Sequence, residues 1–173
     1  MAVEKSAALA DFERARDEFL DAMHACPDEA LAYLKPGDIY AIGGFFPHAN
    51  WVLKHYLRVL ERLGAGQAGF RTDDPAGEHE EANRRALAGL QPGQRDAELA
   101  ELGHHHRRVL SVSESIPTEV WESKVDVFYF DADDAFPTSP DDVLGWLRDH
   151  YREHVPQSAD LLAEWRLAQT ASA

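Results

Sequence analysis

Four stretches of this chain carry apolar side chains at three-to-four spacing. That periodicity points to packed helices before any other architecture. The first stretch runs from Ser6 to Cys26 with Leu9, Phe12, Ala15, Phe19 and Met23 on one stripe, and Pro27-Asp28 ends it. Asp28 can cap a short turn through Tyr33. The second runs from Ile39, after a credible N-cap at Asp38, to Leu63 with Gly64 as its stop; Gly43, Gly44 and Pro47 predict a kink or irregular turn in its first half. The third begins near Arg95, places Leu99, Leu102, His106, Val109 and Ser113 on one face, and reaches Ile116, where Pro117 breaks it. The fourth opens on Thr138-Ser139-Pro140-Asp141-Asp142, a hydroxyl cap followed by proline and acids, and continues to about Gln169 with a bend expected at Pro156.

The connections differ in kind. Gly64 to Gln94 is rich in Gly, Pro and Asp and reads as a long irregular loop holding a short helix from His79 to Leu90. Lys124 to Phe130 alternates β-branched and aromatic residues and reads as a lone extended segment before the last helix. With no internal repeat, low-complexity tract or linker, residues 1–173 are expected to form one all-α domain, a single-domain four-helix bundle.

Charge and cysteine content narrow the function classes. Lys and Arg number 17 against 31 Asp and Glu, and the resulting formal charge of −14 argues against contact with nucleic acid. Cys26 is the only cysteine, so no intramolecular disulfide forms and a reducing, cytoplasmic setting is expected. The N-terminal residues lack a secretion-type apolar run, and the least polar stretch, Ile39 to Leu53, is interrupted by Gly43, Gly44, Pro47, His48 and Asn50, so no membrane span is expected.

Nine histidines are a surplus for such a chain, and two of them fall where packing alone would place leucine. The stripe of the fourth helix reads Val143, Leu147, His150, His154, Ser158, Leu161, Trp165. Residues four apart on a helix are turned by roughly 40° and lie about 6 Å apart along the axis, so both imidazoles can converge on one point. Neutral imidazoles so placed suit a metal ion; the plainer alternative is a pair of separately hydrogen-bonded buried histidines. The second helix adds His48 and His55 on the stripe Ala41, Phe45, His48, Val52, His55, Val59. These two are seven residues apart, about 10 Å along the axis, so at most one joins the pair. His48 is preferred because the neighbouring Gly-Gly-Phe-Phe-Pro irregularity can aim it inward, with His55 in reserve as a packed or hydrogen-bonded residue. Of His104-His105-His106 only His106 lies on its helix stripe, as a buried polar group or a supporting residue, and the other two are expected to face solvent. His24 and His79 sit in polar contexts. The cluster Asp131, Asp133, Asp134 reads as a solvated turn.

Several chemistries are set aside on spacing. In His150-Tyr-Arg-Glu153-His154 the glutamate abuts the second histidine, unlike the zinc-protease pattern. No Glu-x-x-His pair occurs on two helices, as a di-iron bundle needs. Nucleophile-elbow and phosphate-loop motifs are absent, and Cys26 at a helix C-terminus has the wrong dipole for an activated thiolate.

The whole arrangement resembles the DinB-like (YfiT-like) bundles: a helix, a second helix bearing one histidine, a loop and third helix, then a last helix opening Thr-Ser-Pro-Asp-Asp and carrying His-x-x-x-His. Thr138 through Trp165 is the strongest local match, above all Asp149-His150-Tyr-Arg-Glu-His154. The resemblance implies a four-helix bundle in which one histidine from the second helix and two from the last bind a divalent metal, with water completing the shell. Carried over to this sequence, those are His48, His150 and His154. The second helix departs from the usual pattern, with Pro47 directly before the histidine. The best-understood members are transferases or isomerases that use mycothiol, bacillithiol or glutathione, so the resemblance implies a metal-dependent enzyme of thiol-dependent S-transfer or isomerisation, with hydrolysis as the other use of such a site. Expected partners are a small-molecule substrate and a low-molecular-weight thiol; imidazole ligands suit Zn, Ni and Fe, with Cu also compatible. Phe45, Phe46, Trp51, Tyr151 and the 64–94 loop are expected to shape the pocket. The competing reading is a non-catalytic bundle that binds a small apolar ligand or pairs as a two-fold homodimer with buried structural histidines; metal storage or sensing is a third.

Overall fold

A computed structural model describes residues 2–130 and 132–171, so Asp131 of the acidic cluster lies outside the described residues. Helix α1 (Ala2–His24) packs along α6 (Pro140–Ala171), and α2 (Phe45–Gly64) along α4 (Arg95–Ser115), giving the all-α bundle expected. Two short helices, α3 (Glu78–Ala88) and α5 (Thr118–Trp121), join the long ones. None of the helices is long and apolar enough to cross a membrane.

Each sequence stripe becomes a core face. Phe12, Ala15, Phe19 and Met23 of α1 are fully buried, as are Val109 and Ser113 of α4 and Val143 of α6. Helix α2 is buried from Phe45 through Leu53 without a break, so it is the inner helix of the bundle and its histidines have no route to the surface except through a gap between neighbours. The start of α6 is set by a reciprocal cap. The Ser139 hydroxyl accepts from the Asp142 amide at 3.2 Å, while the Asp142 carboxylate accepts from the Ser139 amide at 2.9 Å and its hydroxyl at 2.7 Å. Helix α6 then runs unbroken through Pro156, whose ring leaves the Arg152 carbonyl without its usual intrahelical donor.

Two expectations are corrected. The second helix does not begin at Ile39: a 3-10 turn at Ile42–Gly44 comes first, and α2 starts at Phe45. Pro47 therefore stands in the first turn, where a missing N–H removes no helical bond. The segment at 124–130 is not a lone strand either. Strand β2 (Val125–Phe128) is the centre of a three-stranded sheet, parallel to β1 (Phe70–Arg71) with Phe70 opposite Val127, and antiparallel to β3 (Phe136–Thr138) with Val127 opposite Phe136.

The turn before α2 is fixed by its backbone. The Leu31 carbonyl accepts from Gly43 N at 2.8 Å and Leu90 N at 3.3 Å, and Ala41 N donates to Ala86 O at 2.9 Å. A Cβ on Gly44 would stand 1.9 Å from the Ala86 carbonyl oxygen, so only glycine allows α3 to close against this turn. That closure aims the first turn of α2, and with it His48, at α6.

Candidate metal centre

His48, His150 and His154 come together where the start of α2 faces the middle of α6. Each offers a ring nitrogen, and these lie within 4.8 Å of one another; among the described residues no other group of His, Cys, Asp or Glu side chains does this. The Nε2 atoms of His150 and His154 are 3.1 Å apart, and the His48 ring centroid is 4.9 Å from that of His150 and 5.2 Å from that of His154. Two nitrogens bound tetrahedrally at about 2.0–2.1 Å from one ion stand about 3.4 Å apart, so the α6 pair is already at ligand spacing.

Burial sets the protonation. His48 and His154 are buried, and His150 is half-buried at the edge of the cluster. Desolvation, with the neighbouring imidazoles adding to it, pushes His48 and His150 down to about 3. Burial also lowers His154, against a hydrogen bond to Gln157 that favours its charged form. All three rings are therefore neutral, the form in which imidazole binds a metal.

The supporting residues are ones that periodicity does not reveal. Gln157 Oε1 lies 2.7 Å from His154 Nδ1 and accepts its proton, which leaves the Nε2 lone pair facing the other rings. The Tyr40 hydroxyl lies 3.4 Å from His48 Nε2, and its ring packs 4.6 Å from the His48 ring. His48 Nδ1 is shielded and has no partner among the described residues. Phe45 covers His154 at 4.7 Å. Gln157, one turn from His154, is within reach of a helix-spacing argument; Tyr40 is not, because it precedes the irregular turn.

A cleft of about 400 Å³ opens beside the cluster, with His48, Trp51, His55, Tyr56, Trp146 and His150 in its wall. A second, of about 390 Å³, lies behind Tyr40, Phe45 and Gln157. Of the expected pocket residues, Trp51 and Phe45 line these clefts. Phe46 and Tyr151 do not: both are core residues, packed 6.0 Å and 5.4 Å from Phe19. The 64–94 segment does not line either cleft and acts from behind the wall. It supplies Asp74, whose carboxylate lies 2.6 Å from His55 Nδ1, and His79, which stacks on Trp51 at 4.4 Å and so is not the idle polar residue its context suggests.

The other histidines separate cleanly. His55 is hydrogen-bonded, two turns from the cluster, and does not replace His48. His106 is fully buried, stacked on Phe12 at 4.3 Å with Tyr151 Oη 3.4 Å from its Nδ1, and stands apart from the three. His104 is exposed as expected, but His105 is mostly covered, with its Nε2 3.5 Å from Glu101. Phe130, beside the cleft, has φ 51°, a left-handed conformation that costs a bulky side chain about 1–3 kcal/mol. Thr72 Oγ1 accepts from its amide at 3.0 Å and Arg71 donates to its carbonyl at 2.8 Å, which holds it there. Cys26 is buried and desolvation raises its thiol, consistent with an unreactive side chain.

A search of curated proteins and a search of solved structures each return no match. The family comparison does: the DinB superfamily matches residues 11–158, from the middle of α1 through both histidines of α6. With that match over most of its length, and with helices and histidines in the order the resemblance implies, the chain belongs to the DinB superfamily.

Proposed function

We propose that this chain is a metal-dependent enzyme acting on a small molecule, with His48, His150 and His154 as ligands of one divalent ion, zinc, nickel or iron. The observation that carries the reading is the meeting of three neutral imidazole nitrogens at the edge of an open cleft. A divalent ion held there supplies a Lewis acid that lowers the pKa of a thiol or water brought to it. The chain's own residues do the rest. Gln157 fixes the His154 tautomer, the apolar surroundings of the rings keep them unprotonated, and Trp51, Tyr56 and Trp146 offer an apolar surface for the substrate.

Thiol-dependent S-transfer or isomerisation is the leading use, with hydrolysis second. The buried, raised thiol of Cys26 is no nucleophile, so the thiol in this reading is a low-molecular-weight cosubstrate. The same lone cysteine suits a reducing compartment, and a cytoplasmic location and a two-fold homodimer belong to the proposal.

The test is metal content by plasma mass spectrometry on tag-free protein purified without added metal, beside His150→Ala. About one equivalent of a transition metal in the wild type and under about a tenth in the variant is expected. Wild type that stays near zero after reconstitution with zinc and nickel overturns the enzyme reading and favours a non-catalytic bundle. Turnover that needs an added thiol then separates transferase from hydrolase.

A further inference from the structure

The cleft beside the triad extends along α2 past Trp51 to His55, residues that share a face with His48 at three and seven positions on. His55 Nδ1 lies 2.6 Å from Asp74 Oδ2, and Asp74 is itself held by Arg58, whose Nη2 and Nε donate to Oδ1 at 2.6 Å and 3.1 Å. A carboxylate only accepts, so His55 carries its proton on Nδ1 and Nε2 is left as a lone pair. The side chain is 2% exposed, and among the described residues Nε2 has no partner. Burial outweighs the pull of the Asp74 carboxylate and lowers the ring's pKa, which keeps it neutral. One turn earlier the indole N–H of Trp51, which can only donate, is also buried with no partner among the described residues. Two residues that line one cleft thus carry, just beneath its surface, an acceptor and a donor unpaired among the described residues, although buried polar atoms are ordinarily paired.

We propose that this arm of the cleft is a subsite for an uncharged aromatic ring bearing an O–H or N–H group. The ring packs among Trp51, Tyr56 and Trp146, and its O–H or N–H donates to His55 Nε2. Asp149 and Glu153 line the same cleft and disfavour an anionic ring, and the one His55 proton, on Nδ1, is committed to Asp74. Phe130 covers the position: its ring stacks on His55 at 4.9 Å and 11° and on Trp51 at 6.1 Å, yet it is 47% exposed, so an entering ring displaces it outward. Asp74 is a positioning residue that fixes the His55 tautomer. Calling the ligand a substrate rests on the enzyme reading above; the subsite itself does not.

Nitrogen-detected NMR titration of the full chain, zinc-loaded and metal-free, tests this with phenol, anisole and benzoate as probes. Phenol is expected to move the His55 Nε2 and Trp51 Nε1 resonances in both forms and to bind about tenfold or more tighter than anisole and benzoate, because the site rejects a ring that leaves its acceptor unpaired. His55→Phe, which keeps a ring and loses the acceptor, is expected to erase the preference. Asp74→Ala is expected to mix the two tautomers in the histidine spectrum and shrink it. Equal binding of phenol and anisole to the wild type overturns the proposal without reference to any variant. So does a preference seen only with zinc and lost in His150→Ala, since the triad would then be the binding point. Metal content of the same samples reports separately: protein that takes no zinc but prefers phenol keeps the subsite and loses the metal reading, and protein that takes zinc but treats the probes alike does the reverse.

Discussion

His154 and His106 are both buried on long inner faces of the bundle, and burial holds both in the neutral form, yet only one belongs to a candidate site. His106 is enclosed by Phe12 and Tyr151 and meets no second imidazole. His154 meets His150 on its own helix and His48 from another, with Gln157 fixing which nitrogen faces them. Burial and a lowered pKa are therefore shared by a core histidine and a candidate ligand; what separates them is convergence from two helices and an open cleft alongside.

The comparison breaks most sharply on metal. His154→Ala should lower bound zinc affinity about a hundredfold or more, while His106→Ala should leave it unchanged, as read by competition with a chelating dye. Equal losses from both would erase the distinction. Next in size is the frame beneath each residue. Gly44→Ala places a Cβ against the Ala86 carbonyl and should cost about 4 kcal/mol or more, lowering the melting temperature by about 10 °C or more and weakening zinc through His48. Gly103→Ala, near His106, meets only the end of the Arg107 side chain at 3.2 Å and should stabilise by up to about 1 kcal/mol, measured in the same melts.

The core histidine should instead show itself in stability: His106→Ala leaves a void beside Phe12 and should cost about 2–4 kcal/mol in urea unfolding with zinc binding intact. Acid gives the finest comparison. His48, His150 and His106 sit at about 3 in the folded chain against 6.5 when exposed, so between those values the unfolded chain binds more protons. Their contribution is complete above pH 6.5 and is lost as pH falls toward 3, by up to about 1.4 kcal/mol per pH unit for each ring. His106→Phe should remove one ring's share of that slope and spare zinc; His150→Ala should remove one share and lose zinc. A slope unchanged by His106→Phe would mean that its ring is already charged in the fold.

How far the sequence reveals this depends on the range of the interaction. The four stripes and the His150–His154 pair are legible because helical periodicity is local, and the Ser139–Asp142 cap because it spans three residues. Pro47 looks like an obstacle only while the helix is taken to start at Ile39; the 3-10 turn that shifts the start is imposed by Leu31, Ala86 and Leu90, which no local pattern brings to residues 41–44. The β1–β2 pairing joins Phe70 to Val127 across α3, α4 and α5, and Asp74 reaches His55 from an irregular loop. Both depend on loop conformation, which composition does not encode. Phe46 and Tyr151 are misjudged as pocket walls for a related reason: a residue beside a ligand in sequence points away from it on a helix.

The shared Leu31 carbonyl couples distant parts of the chain. The amides of Gly43 and Leu90 both donate to that one oxygen, so the turn leading into α2 is tied through it to the end of the excursion between α2 and α4. A change that loosens the 64–94 segment is therefore transmitted to His48 through that backbone oxygen, without touching any residue of the candidate site.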